Sequence, residues 1–166
     1  MYDRLTASDI KKMEDEIEYR KLELRKELIQ DVKDARAQGD LSENFEYHAA
    51  KKEKNRNESR IRYLERMIRT ARIVDDTSAE DEIGVNNTVT IYVEDDDEEE
   101  TFKLVTTVRG DTLNGLISIE SPIGKAVLGH KVGDRVEVIV NKNFSYFVEI
   151  RKIENTEGGD EKLVRF

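Results

Sequence analysis

The sequence contains no cysteine, a single proline, Pro122, and only nine glycines among 166 residues. Without cysteine there is no disulfide framework, no thiol nucleophile and no cysteine-ligated metal site. No apolar run approaches the roughly 18 residues that a membrane-spanning helix needs, and the first residues lack the pattern of a signal peptide. We therefore expect a soluble protein without a membrane partner, in the cytoplasm by default.

Charged residues are abundant, but their signs are unevenly distributed. Residues 1–75 carry 18 basic and 17 acidic side chains, whereas residues 76–166 carry 10 and 20, and the formal net charge is −9. The first part is therefore nearly neutral and the second is acidic. Neither part has the basic excess that free binding to duplex DNA requires.

Apolar residues recur at three- and four-residue steps in the first half, which is typical of helices that bury one face. Between two such stripes lies Gly39, the only glycine before Gly84, and residues 1–83 contain no proline. Two long helices with one break predict an antiparallel hairpin, a coiled coil with arms of about 45 Å each. The stripes are Ile10, Met13, Ile17, Leu24, Leu28, Val32 and Ala35, with a gap after Ile17, and Ile61, Leu64, Ile68 and Ala71.

The second half has the pattern of a β-domain. Ser121 is suited to cap a short helix with Pro122 at its first position, ending at Gly129. The predicted fold is α+β, with a helical hairpin domain at residues 1–76 and a small antiparallel sheet domain with one short helix at residues 83–166. β-branched, alternating segments of strand length occupy residues 87–93, 101–107, 116–119, 135–140 and 146–153, the acidic run 94–100 is predicted to be a solvated hairpin loop, and the tail 154–166 shows no pattern.

Two carboxylates, Asp40 and Glu43, lie directly beside the helix breaker Gly39. One interpretation is structural, because Gly39 suits the position after a helix C-terminus and Asp40 with Glu43 fits a capping box for the next helix. The other is functional, because acids at i and i+3 share one helix face and can share a divalent cation. The spacing alone leaves both interpretations open.

The stretch ARAQGDLSENFEYHAAKKE, residues 35–53, resembles the hairpin tip of the Gre family of bacterial transcript-cleavage factors, whose pattern is A-R-x-x-G-D-L-x-E-N-x-E-Y-x-A-A. Independently, ISIESPIGKAVLGHKVGD, residues 117–134, is similar to the C-terminal signature of the family. The hairpin lacks a large net basic excess, so the resemblance is to the GreA branch rather than the GreB branch. It implies an FKBP-like fold for the second domain.

The resemblance also implies a mechanism. The hairpin would enter the secondary channel of a backtracked RNA polymerase, where Asp40 and Glu43 help to hold a second Mg²⁺ and to position a water that attacks the nascent RNA near its 3′ end. The polymerase would provide the remaining carboxylates. The chain would therefore activate hydrolysis by RNA polymerase without being an enzyme alone, and it would have no small-molecule substrate.

Further residues are candidates with simpler alternatives. The basic side chains are expected either to bind RNA phosphates or to form a solvated, ion-paired helix face. Phe45 departs from the family pattern. It is expected to stack on a nucleotide or on the polymerase, or else to cover the tip. The segment around Ser121 is expected to dock on the polymerase, or to cap a short helix that packs against the core, or to do both. The candidates are Gly39, Asn44, Phe45 and Tyr47 for tip support, Arg36, Lys51, Lys52 and Arg56 beside the RNA, and Ser121, Pro122, Ile123, Gly124 and Leu128 for polymerase docking.

Three other functions remain open. A cleavage-incompetent relative would occupy the channel and inhibit, although the presence of Asp40 and Glu43 argues against it. A peptidyl-prolyl isomerase would need a deep pocket lined by aromatic side chains, whereas the aromatic residues of the second half alternate along strands. A purely structural coiled-coil adaptor would leave the tip carboxylates with capping alone.

Overall fold

The periodic first half folds into the predicted helical hairpin in the computed structural model, which describes residues 3–39, 44–75, 77, 79–156 and 161–164. Helix α1, Ala7–Tyr19, runs through a π-helical segment, Arg20–Leu24, into α2, Arg25–Arg36, and α3, Phe45–Thr70, returns antiparallel to it. Residues Ile10–Ala71 form one compact unit. No helix within the described ranges has the length and apolar character that crossing a bilayer demands.

The π-helical segment coincides with the gap in the apolar stripe. A π turn holds one more residue than an α turn, so it shifts which side chains face the partner helix. Arg20 sits at this point opposite Asn57, which is 3% exposed. Arg20 Nη1 donates to Asn57 Oδ1 at 2.9 Å, and Asn57 Nδ2 donates to the Arg20 carbonyl at 3.3 Å. A polar contact therefore occupies a position where the stripe predicts an apolar one.

Glu16 joins the two arms next to this contact. Its carboxylate accepts two hydrogen bonds from Arg60, at 2.7 and 3.2 Å, and one from Arg20 Nε at 3.0 Å. Burial alone would raise the pKa of Glu16, but the hydrogen bonds from Arg60 and Arg20 outweigh it and the pKa is lowered. The charged form of Glu16 is thus part of the folded hairpin.

Cross-arm ion pairs also run in the opposite sense to the one expected from the basic character of α3. Arg25 forms a two-point pair with Glu58, at 2.8 and 3.0 Å, and Lys21 pairs with Glu65 at 2.5 Å. Here the first arm provides the cations and α3 the carboxylates. The predicted ion-paired face of α3 thus includes pairs of both senses, with α3 providing the cation in the Glu16–Arg60 pair and the carboxylate in the other two.

A five-stranded sheet dominates the second unit, which combines Asp3–Asp9 with the chain from Arg72 onward. Its order is β5-β4-β3-β7-β6, and bulges in β7 against β3 and in β6 against β7 curl it. All pairs are antiparallel except β4 with β5, so the predicted antiparallel sheet is in fact mixed. The strands are β3 Asn87–Val93, β4 Glu98–Val105, β5 Leu116–Ser118, β6 Arg135–Asn141 and β7 Phe144–Asn155; two-residue strands β1, Arg4–Leu5, and β2, Arg72–Ile73, pair in parallel beside it.

The acidic run is divided between a turn and a strand. Glu94 to Asp97 form the turn between β3 and β4, whereas Glu98, Glu99 and Glu100 already belong to β4. The prediction of a loop over residues 94–100 is therefore wrong for its last three residues. Pairing with β3 places them in the strand despite their low β propensity.

The core of the second unit lies on one face of the sheet, under a short helix, α4, Pro122–Val127. As predicted, Ser121 caps α4, with its Oγ accepting from the amide of Gly124 at 3.1 Å, and Pro122 occupies the first helical position. The buried apolar residues are Ile83, Val85, Val89, Ile91, Val93, Phe102, Leu104, Ile119, Val127, Val136, Val138, Val148 and Ile150. The predicted α+β fold is thus confirmed, while its exact domain bounds, residues 1–76 and 83–166, stay a prediction.

A buried polar cluster fixes the start of α1 within the second unit. Thr6 and Asp9 form a reciprocal capping box, with the amide of Thr6 donating to Asp9 Oδ2 at 3.0 Å and the amide of Asp9 to Thr6 Oγ1 at 3.2 Å. Asp9 also accepts from Thr106 Oγ1 and Arg109 Nε, both at 2.6 Å. One carboxylate thereby serves as a helix cap and as the partner of a buried arginine.

The C-terminal tail contributes to the same region, although the sequence shows no pattern there. Lys103 Nζ donates to the carboxylate of Glu161, which also lies 3.9 Å from Arg109 Nη1. The amide of Val164 donates to the carbonyl of Val108 at 2.7 Å. Residues 161–164 are therefore attached to the second unit.

Candidate functional site

The hairpin tip is closed by Asn44. Helix α2 ends at Arg36, and Gly39 follows with a φ of +126°, a value that glycine adopts without strain. At the start of α3, Asn44 Oδ1 accepts from the amide of Tyr47 at 3.0 Å, and Asn44 Nδ2 donates to the carbonyl of Ala35 at 2.7 Å. One side chain thus caps α3 and ties it to the end of α2.

Asp40 and Glu43 lie outside the described residues, between two ends that are described. The capping interpretation required Asp40 to begin the second helix, but α3 begins at Phe45 with Asn44 as its cap. The prediction of Asp40 as the N-cap of α3 is therefore wrong, because Asn44 holds that position and its Oδ1 accepts from the Tyr47 amide. The missed signal was Asn44 itself, since asparagine is among the preferred N-cap residues and an acid, Glu46, follows in the first turn.

Arg36 and Tyr47 form a contact beside the tip. The guanidinium of Arg36 lies 5.6 Å from the centre of the Tyr47 ring. A hydrogen bond from Arg36, with smaller contributions from the charges of Lys51 and Lys54, lowers the pKa of the Tyr47 hydroxyl. Arg36 is therefore partly engaged in holding Tyr47, and the tip-support role of Tyr47 stays a prediction.

The other basic candidates differ in their freedom to bind a ligand. Lys51 and Lys52 are exposed on α3 and form no ion pair within the described residues. Arg56 lies about one turn further along and pairs with Glu53 at 2.9 Å, with both side chains more than half exposed. Lys51 and Lys52 are accordingly the two candidates with an uncommitted charge.

Phe45 does not cover the tip in the described part of the chain. It is the first residue of α3, and 86% of it is exposed. Burying a phenylalanine side chain contributes on the order of 2 kcal/mol, so this exposure leaves a favourable contact unmade. The exposed ring is accessible to a partner, and stacking of Phe45 on a nucleotide or on the polymerase stays a prediction.

The docking candidates belong to the second unit. Gly124 is buried, and a Cβ atom there would lie 2.2 Å from the Ser118 carbonyl oxygen, so α4 rests directly on the end of β5. Ile123 and Leu128 pack partly against the core, which confirms the packing interpretation for them. Pro122 is exposed and remains available for docking.

Comparison with known proteins decides the family. Residues 4–73 match the family described as "Transcription elongation factor, N-terminal", and residues 78–155 match "Transcription elongation factor, GreA/GreB, C-term". The chain belongs to the GreA/GreB family of transcription elongation factors. The two matches cover the hairpin and the sheet in order, and the family resemblance inferred from the sequence motifs is thereby confirmed.

Individual relatives identify the GreA type. Transcription elongation factor GreA of Thermoanaerobacter pseudethanolicus is 45% identical over 137 residues, covering 82% of this chain and 87% of the relative. GreA of Streptococcus gordonii is 43% identical over 154 residues, covering 92% and 96%. Among solved structures, the GreA factor homolog 1 (Gfh1) protein of Thermus thermophilus is 26% identical, with 93% and 99% coverage and a TM-score of 0.43.

Proposed function

We propose that this GreA-type factor binds bacterial RNA polymerase, inserts its helical hairpin into the secondary channel and stimulates the polymerase's own cleavage of backtracked RNA. In this proposal the nascent RNA 3′ end is cut in the polymerase active centre. The factor contributes Asp40 and Glu43 to that centre and is no catalyst by itself. Such a function requires it to be in the cytoplasm with the polymerase.

The observation that carries the proposal is the cap of α3. The N-cap position of α3 is held by Asn44, whose Oδ1 accepts from the Tyr47 amide. Asp40 is therefore not needed as the cap of α3. In a chain of this family, this favours Asp40 and Glu43 as ligands offered to a partner.

The donor set fits Mg²⁺ only in part. Mg²⁺ takes six oxygen ligands in near-octahedral geometry and keeps several of its waters. The described residues contain no cluster of three or more side chains that would hold a metal ion. We therefore expect Asp40 and Glu43 to hold Mg²⁺ only jointly with carboxylates of the polymerase, where the ion would stabilise the charge that develops during phosphodiester hydrolysis.

The residues of this chain then have separate tasks. The carboxylates of Asp40 and Glu43 accept hydrogen bonds from water and orient it toward the RNA phosphate. Asn44, the residue after Glu43 in the sequence, fixes where α3 begins and ties it to the end of α2. Lys51 and Lys52 offer exposed positive charge to RNA phosphates along α3.

The test uses stalled, backtracked elongation complexes with wild-type factor, Asp40→Asn, Glu43→Gln or no factor, in Mg²⁺ buffer. Each variant removes one charge with almost no change in size, so both should melt like the wild type. We expect stimulated cleavage to fall at least about 100-fold, in line with the loss of a group that stabilises a transition state. The factor with RNA and Mg²⁺ alone should give no cleavage.

Competition separates loss of chemistry from loss of binding. Asp40→Asn should still displace wild-type factor from the elongation complex and thereby inhibit its cleavage. Full cleavage by a well-folded Asp40→Asn protein would refute the assigned role of Asp40. A wild-type factor that binds the complex and only slows it would instead support the inhibitor alternative.

A further inference from the structure

Two acids of the run between β3 and β4 are bound by side chains of the same domain. Glu94 accepts two hydrogen bonds from Arg135, at 2.6 and 3.0 Å, and Arg135 also stacks on Phe147 with its guanidinium 3.8 Å from the ring centre. The hydroxyl of Tyr92 donates to Asp97. These two acids therefore have partners within the domain.

Three other acids of the run have no such partners. The side chains of Asp95, Asp96 and Glu100 form no ion pair or hydrogen bond within the described residues. All three are exposed, and together they line a cavity of about 250 Å³. The negative charge at this cavity is thus uncompensated within the described chain.

Aromatic side chains form the other wall of the cavity. Phe144 and Tyr146, on β7, have ring centres 6.0 Å apart and planes inclined by 37°, and Val93 completes the lining. Phe144 is 53% exposed, so its ring is open to a ligand. The cavity therefore combines ring faces with carboxylates, which is the environment that an organic cation prefers.

We propose that this cavity, the acid–aromatic cleft, binds an arginine or lysine side chain carried by a basic segment of a partner protein. The cationic group would lie against Phe144 and Tyr146 and pair with Asp96 and Glu100. This inference does not depend on the proposed function in transcript cleavage.

The electrostatic environment supports a cation. Partial burial, and then the negative charges of Glu100 and Asp96, raise the pKa of the Tyr146 hydroxyl. The same negative field repels the phosphates of nucleic acids and of anionic lipids. A metal ion is a poor alternative, because the described residues contain no set of ligands suited to hold one.

The size of the cleft indicates a single side chain. Pockets for drug-sized ligands and cofactors are typically about 300–1,000 Å³, so a volume of about 250 Å³ is small for such molecules. Val93 and the rings of Phe144 and Tyr146 form the apolar part of the lining. Apolar residues beside the cation would gain contact with this part, and we expect the partner segment to alternate basic and apolar residues.

The test is a nuclear magnetic resonance titration of the isotope-labelled full chain with an N-acetylated tetrapeptide that alternates leucine and arginine. We expect amide signals of the cleft, among them those of Val93 and Tyr146, to shift progressively. In Asp96→Asn/Glu100→Gln the dissociation constant should rise at least about fivefold, from the loss of two exposed charge contacts. Phe144→Ala should weaken binding by a similar factor through the lost ring face.

Two controls keep the proposal open to refutation. Glu98→Gln/Glu99→Gln removes two charges from the same acidic run but none from the cleft lining, so it should leave the dissociation constant within about twofold of wild type. A leucine–glutamate peptide should cause no shifts. Equal weakening by both double variants, or binding of the glutamate peptide, would show nonspecific attraction and overturn the proposal.

Discussion

Asp9 Oδ1 lies 2.6 Å from Arg109 Nε, although 100 residues separate the two in the chain. Their side chains are 1% and 3% exposed. Removing the charge of one partner in such a pair leaves the other buried without full compensation, which typically costs several kcal/mol. The pair therefore predicts a strong effect of a nearly isosteric substitution.

Asp9→Asn should lower the free energy of unfolding of the second unit by about 3 kcal/mol. Arg109 would keep its hydrogen bond to Asn86 at 2.8 Å and its contact with the carboxylate of Glu161 at 3.9 Å. We therefore expect the second unit to be destabilised but still folded. Chemical denaturation measures the change. Asp15→Asn is the matched control, because Asp15 forms an exposed pair with Lys11 at 3.7 Å and should give less than about 1 kcal/mol.

Acid should destabilise the hairpin partly through Glu16. Its pKa is lowered in the folded protein, so its contribution to stability is present above the unfolded pKa of about 4.3 and is lost as the pH falls through the lower folded value. Glu16→Gln should therefore be less stable than wild type near neutral pH, and the difference should shrink as the pH falls below the unfolded pKa of about 4.3.

The measurement is denaturation followed by far-ultraviolet circular dichroism at several pH values. Glu27→Gln serves as the control, because Glu27 is exposed on α2 and makes no ion pair within the described residues. A stability difference between wild type and Glu16→Gln that is constant across the acid range would contradict the role given to the Glu16 charge.

Asn44 should be important for both stability and cleavage. Asn44→Ala removes the cap and the hydrogen bond to the Ala35 carbonyl, so the free energy of unfolding should fall by about 2 kcal/mol. Asn44→Asp keeps a capping oxygen but loses the side-chain N–H that donates to Ala35. If the tip must hold Glu43 in place, stimulated cleavage should fall in both variants. Asn55→Asp, at an exposed position of α3, adds the same charge and should change neither.

Gly124→Ala should displace α4. The new Cβ would lie 2.2 Å from the Ser118 carbonyl oxygen and 2.9 Å from the Ile119 Cα, both of them backbone atoms that cannot turn aside. We expect a loss of at least about 2 kcal/mol, seen as a lower melting temperature. Gly110→Ala is the comparison, because its nearest atom would be 3.4 Å away, and a loss there of the same size would remove the steric explanation.

Local signals in the sequence predicted several elements well. The alternating apolar pattern of residues 87–93 predicted strand β3, Asn87–Val93, with the observed bounds. Ser121 followed by Pro122 predicted the start of α4. Gly39 marked the end of the first arm. These elements are determined by neighbouring residues, so their pattern is visible in a single stretch of chain.

Features that depend on distant partners were not predictable. The π-helical segment Arg20–Leu24 left only a gap in the stripe, because the hydrogen bonds that accompany it come from Asn57 on the other arm. The parallel pairing of β5 with β4 and of β1 with β2 follows from chain topology rather than from local composition. The attachment of Glu161 depends on Lys103 and Arg109, and the tail carries no periodic signal.

The Arg20–Asn57 contact has a consequence for how the hairpin can change its length. Two helices that meet only through apolar side chains can shift past each other by one turn. The two hydrogen bonds between Arg20 and Asn57, in contrast, can form in one register only. Deleting a turn from one arm would separate Arg20 from Asn57 and, with them, Glu16 from Arg60. The arms can therefore be shortened or lengthened only by matched changes in both. The length of the hairpin is thus variable only in whole turns that are added to, or removed from, both arms together.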